Sequence, residues 1–443
     1  MSIMPEKNDR RTIFGWCMYD WANSAFATTV LAALLPAYFA GEVVGPEGVA
    51  IGGTIYSATT LWGFVVAFAA FLTFIIAPVL GAISDFSATK KKFLLSFAYG
   101  GSLFTTLLFF CRSGDVIKTL LIFLVAQIGF IAGNVFYDAF LPQIATEDKI
   151  DWVSGKGFSY GYLGGGLQFA MALGLVAGHE QLSISQPLAA RIGLALAGIW
   201  WAGFTLFTVK YLRETPRTET MPDNYHGKPV LFSYVSVGFS RLLKTTRRVS
   251  RFRHLLIFLI AFMLYNDGIQ TVINMATIYG KEELNLTTTT LMLTLLMIQT
   301  IAIFGALAFS RFAGLIGTKR AVMITLVIWS GIVIYAYFIQ SAAEYFTLGI
   351  LVGIVLGGSQ ALSRSLYGSM IPEEASAEFY AFYSVFSKFS AIWGPMAFAI
   401  IRQVTGSSRL SIVSLIIFFI AGFILLSFVD VEKARRAKDA GAF

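Results

Sequence analysis

The stretch GWCMYDWANSAFATTVLAALLPAYFA (Gly15–Ala40) has the length and apolar content of a helix that crosses a bilayer, yet it carries Asp20 and Asn23 in its first third. A carboxylate in such a helix is costly unless it meets water, a partner or a cavity. Which of these applies depends on where the other polar residues of the apolar segments fall.

Of the 443 residues, 56% are hydrophobic and 13% charged, too little charge to clothe a soluble protein of this size. Together with a mean hydropathy of +0.71, this reads as a polytopic membrane protein whose main partner is the lipid bilayer. The net charge of +8 does not indicate nucleic acid, because Lys and Arg lie in short segments between the apolar runs. Cys17 and Cys111 provide neither a disulfide framework nor a metal spacing, and His179, His226 and His254 are scattered. No metal or cofactor is expected. The apolar sequence continues past Ala25-Phe26-Ala27, so the first segment reads as a retained span rather than a cleaved leader.

At roughly 20 apolar residues per crossing, spans fall near 14–40, 57–83, 93–111, 118–141, 157–178 and 190–212. A second set falls near 254–280, 287–311, 321–340, 345–367, 378–401 and 410–429. Cationic residues in alternate loops differ between the two sides by about fourfold, which predicts both termini on the cytoplasmic side. The expected organisation is an N-terminal six-helix bundle (1–212), a basic cytoplasmic linker (213–253) and a C-terminal six-helix bundle with a short tail (254–443). Within the linker, Phe239, Leu242 and Leu243 alternate with Arg241, Lys244, Arg247 and Arg248. This suits either an amphipathic helix on the inner leaflet or a plain basic connector.

The polar residues of the spans are not random. Span 1 holds Asp20, Asn23 and Ser24; span 4 holds Gln127, Asn134 and Asp138; span 7 holds Asn266, Asp267, Gln270 and Asn274; span 10 holds Gln360, Ser363 and Arg364. Spacings of three, four and seven place each set on one helical face. Spans 3, 6, 9 and 12 have no charged residue in their interiors, while spans 2, 5, 8 and 11 are intermediate, with Gln168, Gln299 and the deep Lys388. A period of three in helix number predicts a central cavity lined by every third helix, and Asp20 facing it. Candidate solute- or ion-binding residues are Asp20, Asn23, Asn134, Asp138, Asp267, Gln270, Gln360, Arg364 and Lys388. Several keep a second reading: Asp267 and Lys388 as a structural ion pair, Asp138 as a loop cap, Arg364 reaching the interface. The glycines of GKGFSYGYLGGG (Gly155–Gly166) read as close helix contacts.

The halves echo each other: MYDWANS against LYNDGIQ, and GAISDFSATKKK after span 2 against GALAFSRFAGLIGTKR after span 8. In the first copy Gly81 lets helices approach, Asp85 caps or pairs with a cation, and Lys90 and Lys91 anchor the helix end. The second copy keeps Gly305, Lys319 and Arg320 but has Phe309 in place of Asp85. GAISDFSATKKK resembles the loop 2–3 signature of the major facilitator superfamily, in which an acidic residue and a basic pair latch one conformation. YDWANSAF (Tyr19–Phe26), GYLGGG (Gly161–Gly166), LYNDGIQTVI (Leu264–Ile273) and GGSQALSRSLY (Gly357–Tyr367) are similar to signatures of one subgroup, the vacuole effluxer-like family. The resemblance runs across essentially the whole chain.

That resemblance implies an all-α membrane protein with twelve transmembrane helices in the major facilitator fold of two six-helix bundles. It implies a non-enzymatic secondary transporter of a small polar solute, amino acids foremost and by efflux; a monomer in a bacterial inner membrane is expected, with the carboxylates of the spans as carriers for a coupled proton. Span 4 lacks the buried Arg that the wider superfamily links to proton coupling, and span 5 lacks the antiporter-type proline. Transport of other small metabolites, or a non-transporting sensor or assembly role, remain alternatives. An intramembrane enzyme finds no His, Cys or Ser constellation.

Overall fold

The computed structural model describes residues 6–214, 253–390 and 393–439. The expected amphipathic segment around 239–248 lies outside the described residues. Helices run in the order α1 (Arg10–Val44), α2 (Ala58–Ser87), α3 (Lys90–Phe110), α4 (Val116–Ile144), α5 (Ile150–Ala177) and α6 (Gln186–Tyr211). They continue with α7 (Arg253–Leu284), α8 (Thr288–Ile316), α9 (Thr318–Phe338), α10 (Ala342–Met370), α11 (Ser376–Phe389 and Trp393–Thr405) and α12 (Ser408–Ser427). A short α13 (Val431–Asp439) follows. Among the described residues, eleven helices are long and apolar enough to cross a membrane. The twelfth long helix, α5, has 28 residues, but its glycines and Lys156 dilute its apolar character. A small hairpin precedes α2: β1 (Val49–Ile51) pairs antiparallel with β2 (Thr54–Tyr56) across Gly52 and Gly53, both at positive φ.

The helix starts are written in the sequence. On the face opposite the one carrying Lys7 and Lys438, five helices begin on a hydroxyl that accepts the backbone N–H three residues on: Ser57, Ser185, Thr287, Ser341 and Ser407. Ser341 and Glu344 complete a capping box. These caps satisfy amides that lipid would leave unpaired.

Packing follows the repeat. In the first half α1 lies against α5 and α6, and α3 against α4 and α6; in the second, α7 lies against α12, and α9 against α10 and α12. Lys91 Nζ donates to the carbonyls of Val209 and Leu212 (2.8 and 2.6 Å) at the end of α6. Lys319 Nζ does the same to Ser427 and Val429 (2.8 and 2.7 Å) after α12, so the two basic loop residues play one structural part twice. The halves meet along α2–α11, α5–α8, α5–α10 and α4–α11.

The α1–α5 seam depends on glycine. A Cβ on Gly161 would lie 2.8 Å from Ser24 Oγ, and one on Gly165 would lie 2.9 Å from the Ser24 carbonyl. This close approach brings the polar stripe of α1 against α5.

Candidate functional site

A cavity of about 490 Å³ lies between the halves. α1 contributes Asp20, Asn23, Ser24, Ala27 and Thr28, offsets of three, four, seven and eight that trace one face of an α-helix. From Phe26 to Leu34 the helix winds as π, and the next wall residues come five positions on, Ala32 after Ala27 and Ala33 after Thr28. The wider winding puts alanines at the wall where an α-helical register would bring Leu31 and Leu34 toward it. α4 presents Phe130, Asn134, Tyr137 and Asp138, and α10 presents Val352, Leu356, Gln360 and Arg364 at steps of four.

The charged floor is built around Arg364. Its terminal nitrogen Nη1 lies 3.1 Å from Asp138 Oδ1 and 3.6 Å from Asp20 Oδ2, joining the second half to two carboxylates of the first. Its Nε donates to Ser154 Oγ (3.0 Å) and Nη2 to the Ser154 carbonyl (2.8 Å). The guanidinium also lies over the rings of Phe158, Trp16 and Tyr137, at 4.1, 4.8 and 5.4 Å from their centroids. Trp16 is itself fixed by stacking on Tyr137 and by donating Nε1–H to the Tyr137 carbonyl. Arg364 is therefore buried beneath the cavity and does not reach the interface. Tyr137 donates its hydroxyl to Asp20 Oδ2 (2.9 Å), and Asn23 donates to Asn134 Oδ1 (2.5 Å). Higher up, Tyr162 donates to Gln360 Oε1 (2.6 Å), and Gln299 donates to Thr28 Oγ1 (3.1 Å). The rest of the wall is mainly apolar, from Ile273, Ile298 and Val333 among others, with Gln270, Tyr279, Thr294 and Tyr345 set among them.

Asp20, Asn23, Asn134, Asp138, Gln270, Gln360 and Arg364 all line this cavity. Asp267 and Lys388 do not, and they do not form the pair expected of them. Asp267 Oδ1 instead accepts the Gly394 amide (2.9 Å), at the start of the second segment of α11. A carboxylate suits the amide-rich end of a helix, and Gly394 leaves room for it: a Cβ there would lie 2.8 Å from Asp267 Oδ1. Among the described residues, Asp267 Oδ2 takes no hydrogen bond and no carboxylate pairs with Lys388. The lining also departs from every third helix: α5 and α8 take part, as do Ile332, Val333 and Ala336 of α9 and Ile412 of α12.

The face carrying Lys7 and Lys438 is closed. Asp85 and Lys90, both buried, pair at 2.6 Å. Asp85 also accepts the amides of Ala377 and Glu378 (3.3 and 3.0 Å), and Lys90 Nζ donates to Ser376 Oγ (2.8 Å). Gly81 lets α2 touch α11, since a Cβ would stand 2.8 Å from the Ala377 carbonyl. Lys91 faces away, onto α6. On the α5–α8 side, where Phe309 replaces the acid, Asp151 of α5 accepts from Thr318 (2.6 Å) and Ser365 (2.5 Å). Further links run from Lys438 to Glu147 (2.6 Å) and from Lys7 to Glu373. Sequence reasoning passed over Asp151, Ser154, Tyr137 and Trp16. Only Asp151 carried a signal, an acid in the first turn of a helix on a basic face.

Comparison with known proteins agrees with this architecture. The model of the family described as "Vacuole effluxer Atg22 like" matches residues 8–439. The uncharacterized MFS-type transporter YxiO of Bacillus subtilis is 33% identical over 426 residues, 95% of each chain. Autophagy-related protein 22 of Kluyveromyces lactis is 25% identical over 393 residues, 83% of this chain and 78% of that one. Among solved structures, the major facilitator transporter FucP in the outward conformation superposes with a TM-score of 0.69 at 12% identity, covering 96% of this chain and 99% of that one. The human organic anion transporter MFSD10 superposes with a TM-score of 0.68 at 16% identity, covering 95% and 100%. Both solved structures bear on the fold alone. With a matching model over nearly its whole length and a bacterial relative of equal extent, the chain belongs to the vacuole effluxer Atg22-like family of major facilitator transporters.

Proposed function

We propose that this protein is a secondary transporter that exports a small polar solute, amino acids foremost, by alternating access. The observation that carries the reading is a central cavity with two carboxylates, a guanidinium and several amides, walled off on one face by bonds between the halves. In this reading 1–212 and 254–443 rock as two bundles joined by 213–253, with both termini in the bacterial cytoplasm and the cavity facing outward. Gly81, Asp85 and Lys90 latch the cytoplasmic face, and Lys91 stiffens the α3–α6 corner beside them. Asp20 and Asp138 contact the solute and are the carboxylates placed to exchange a coupled proton with it. The family description as a vacuole effluxer supports export. The test is flux into proteoliposomes of a mixture of labelled amino acids under a proton gradient. Accumulation above empty liposomes, lost in Asp20→Asn, is expected; no flux of any amino acid overturns the solute assignment.

A further inference from the structure

The cavity floor has an uneven charge count. Three side chains of formal charge line it among the described residues, Asp20, Asp138 and Arg364, and the two acids share the one base. The guanidinium is already spent. Its nitrogens are committed to Ser154, Asp138 and Asp20, three aromatic rings cover it, and it is 3% exposed. It has no open face for an anionic group.

The carboxylates are the reverse. Side chains of Asp20 and Asp138 remain 13% and 19% exposed, and they line the cavity from neighbouring helices. Asp20 accepts from Tyr137 through Oδ2, and Asp138 accepts from Arg364 through Oδ1. Each keeps a second oxygen that takes no hydrogen bond among the described residues. With both acids ionised, one unit of negative charge is left over at the floor of an otherwise uncharged cavity, where screening is weak and attraction for a cation is strong. The groups left for a solute's carboxylate are neutral amides and hydroxyls, with no second cation among the lining residues described, and Gln360 already engages Tyr162.

We infer that the site recognises a primary ammonium group, so that a solute's amine, and not its carboxylate, decides binding. Amine-bearing molecules then qualify whether they are zwitterions or simple cations. This inference rests on the transport reading only for the cavity being the solute site.

The test is isothermal titration calorimetry on the full-length chain in nanodiscs with three probes of one skeleton: valine, valine methyl ester and N-acetylvaline. The ester keeps the ammonium and loses the carboxylate charge; the acetylated compound does the opposite. The ester is expected to bind within about threefold of valine and N-acetylvaline at least about tenfold more weakly, because a charge-assisted hydrogen bond is lost. Asp20→Asn and Asp138→Asn should weaken both amines by about tenfold or more. If either variant fails to fold, the ranking of the three probes on the unaltered protein still decides. N-acetylvaline binding as tightly as valine, loss of binding on esterification, or no heat with either amine overturns the inference. The two readings fail separately. Amine-selective binding without flux sinks transport and leaves the inference, whereas flux of valine and N-acetylvaline alike sinks the inference and leaves transport.

Discussion

Replacing Asp85 by asparagine keeps the side chain's volume and removes its charge at the point where α2 meets the start of α11. Asp85 holds three groups there: the Lys90 ammonium at 2.6 Å and the amides of Glu378 and Ala377 at 3.0 and 3.3 Å. Bonds from the two amides to a charged acceptor exceed those to a neutral one by about 1 kcal/mol each. The Asp85–Lys90 pair joins two residues of the first half, so its loss bears on both states and does not enter the difference, and Ser376 still accepts from Lys90. The two amide contributions sum to about 2 kcal/mol, roughly thirtyfold in an equilibrium constant. The bonds to Ala377, Glu378 and Ser376 exist only while this face is closed, so the cost falls on the closed state and shifts the balance toward opening. Spin labels at Lys92→Cys and Arg320→Cys, both exposed on this face, report the change by electron–electron double resonance. A longer distance population should grow from minor to dominant in Asp85→Asn, with solute affinity near that of the parent. An unchanged distance distribution accompanied by a large fall in affinity would refute the latch and move Asp85 into the binding machinery.

Three further outcomes follow from the geometry. Gly165→Ala places a methyl group 2.9 Å from the Ser24 carbonyl, so it should destabilise the fold by about 1–3 kcal/mol; an unaltered melting temperature in detergent would contradict the α1–α5 seam. Asp267→Asn and Lys388→Met should have additive effects on stability to within about 0.5 kcal/mol, because no ion pair joins them; rescue of either by the other would restore the pair. A cysteine at the exposed Ser183 should react with an impermeant thiol reagent added outside cells, while labelling only after the membrane is opened would reverse the orientation.

The twelve-span outline and most of the charged floor were legible because burying polarity in lipid is costly enough to leave a pattern. Asp20, Asn23 and Ser24 stand at helical spacing in an apolar run, and the same logic led to Asn134, Asp138 and Arg364. The pattern ends where helical winding changes. The π-wound stretch of α1 steps by five, so period-3.6 reasoning points to Leu31 where the wall uses Ala32 and Ala33. It also fails at α11, where depth alone suggested that Asp267 needs Lys388. A helix segment starting at Trp393 offers amides that no spacing rule reveals, and the carboxylate goes to Gly394. Ser154 was invisible for a different reason: half of its service to Arg364 is its backbone carbonyl, which any residue could supply.

The two seams of the closed face are held by unlike forces, with an acid and a lysine at Asp85 and Lys90 on one side and Asp151 taking hydroxyls, beside Gly155 packed on Ser310, on the other. Like a door with its bolt on one edge and its hinge on the other, the face has two different vulnerabilities. Whatever neutralises charge draws the bolt: acid, a competing ion, or a modified lysine. The hinge has no lysine to modify and no ion pair for salt to compete with; apart from its Asp151 carboxylate it yields to bulk, such as a side chain too large for the gap at Gly155. Substitutions at Lys90 and at Gly155 should therefore sort by chemistry, the first repaired by restoring charge and the second only by restoring size.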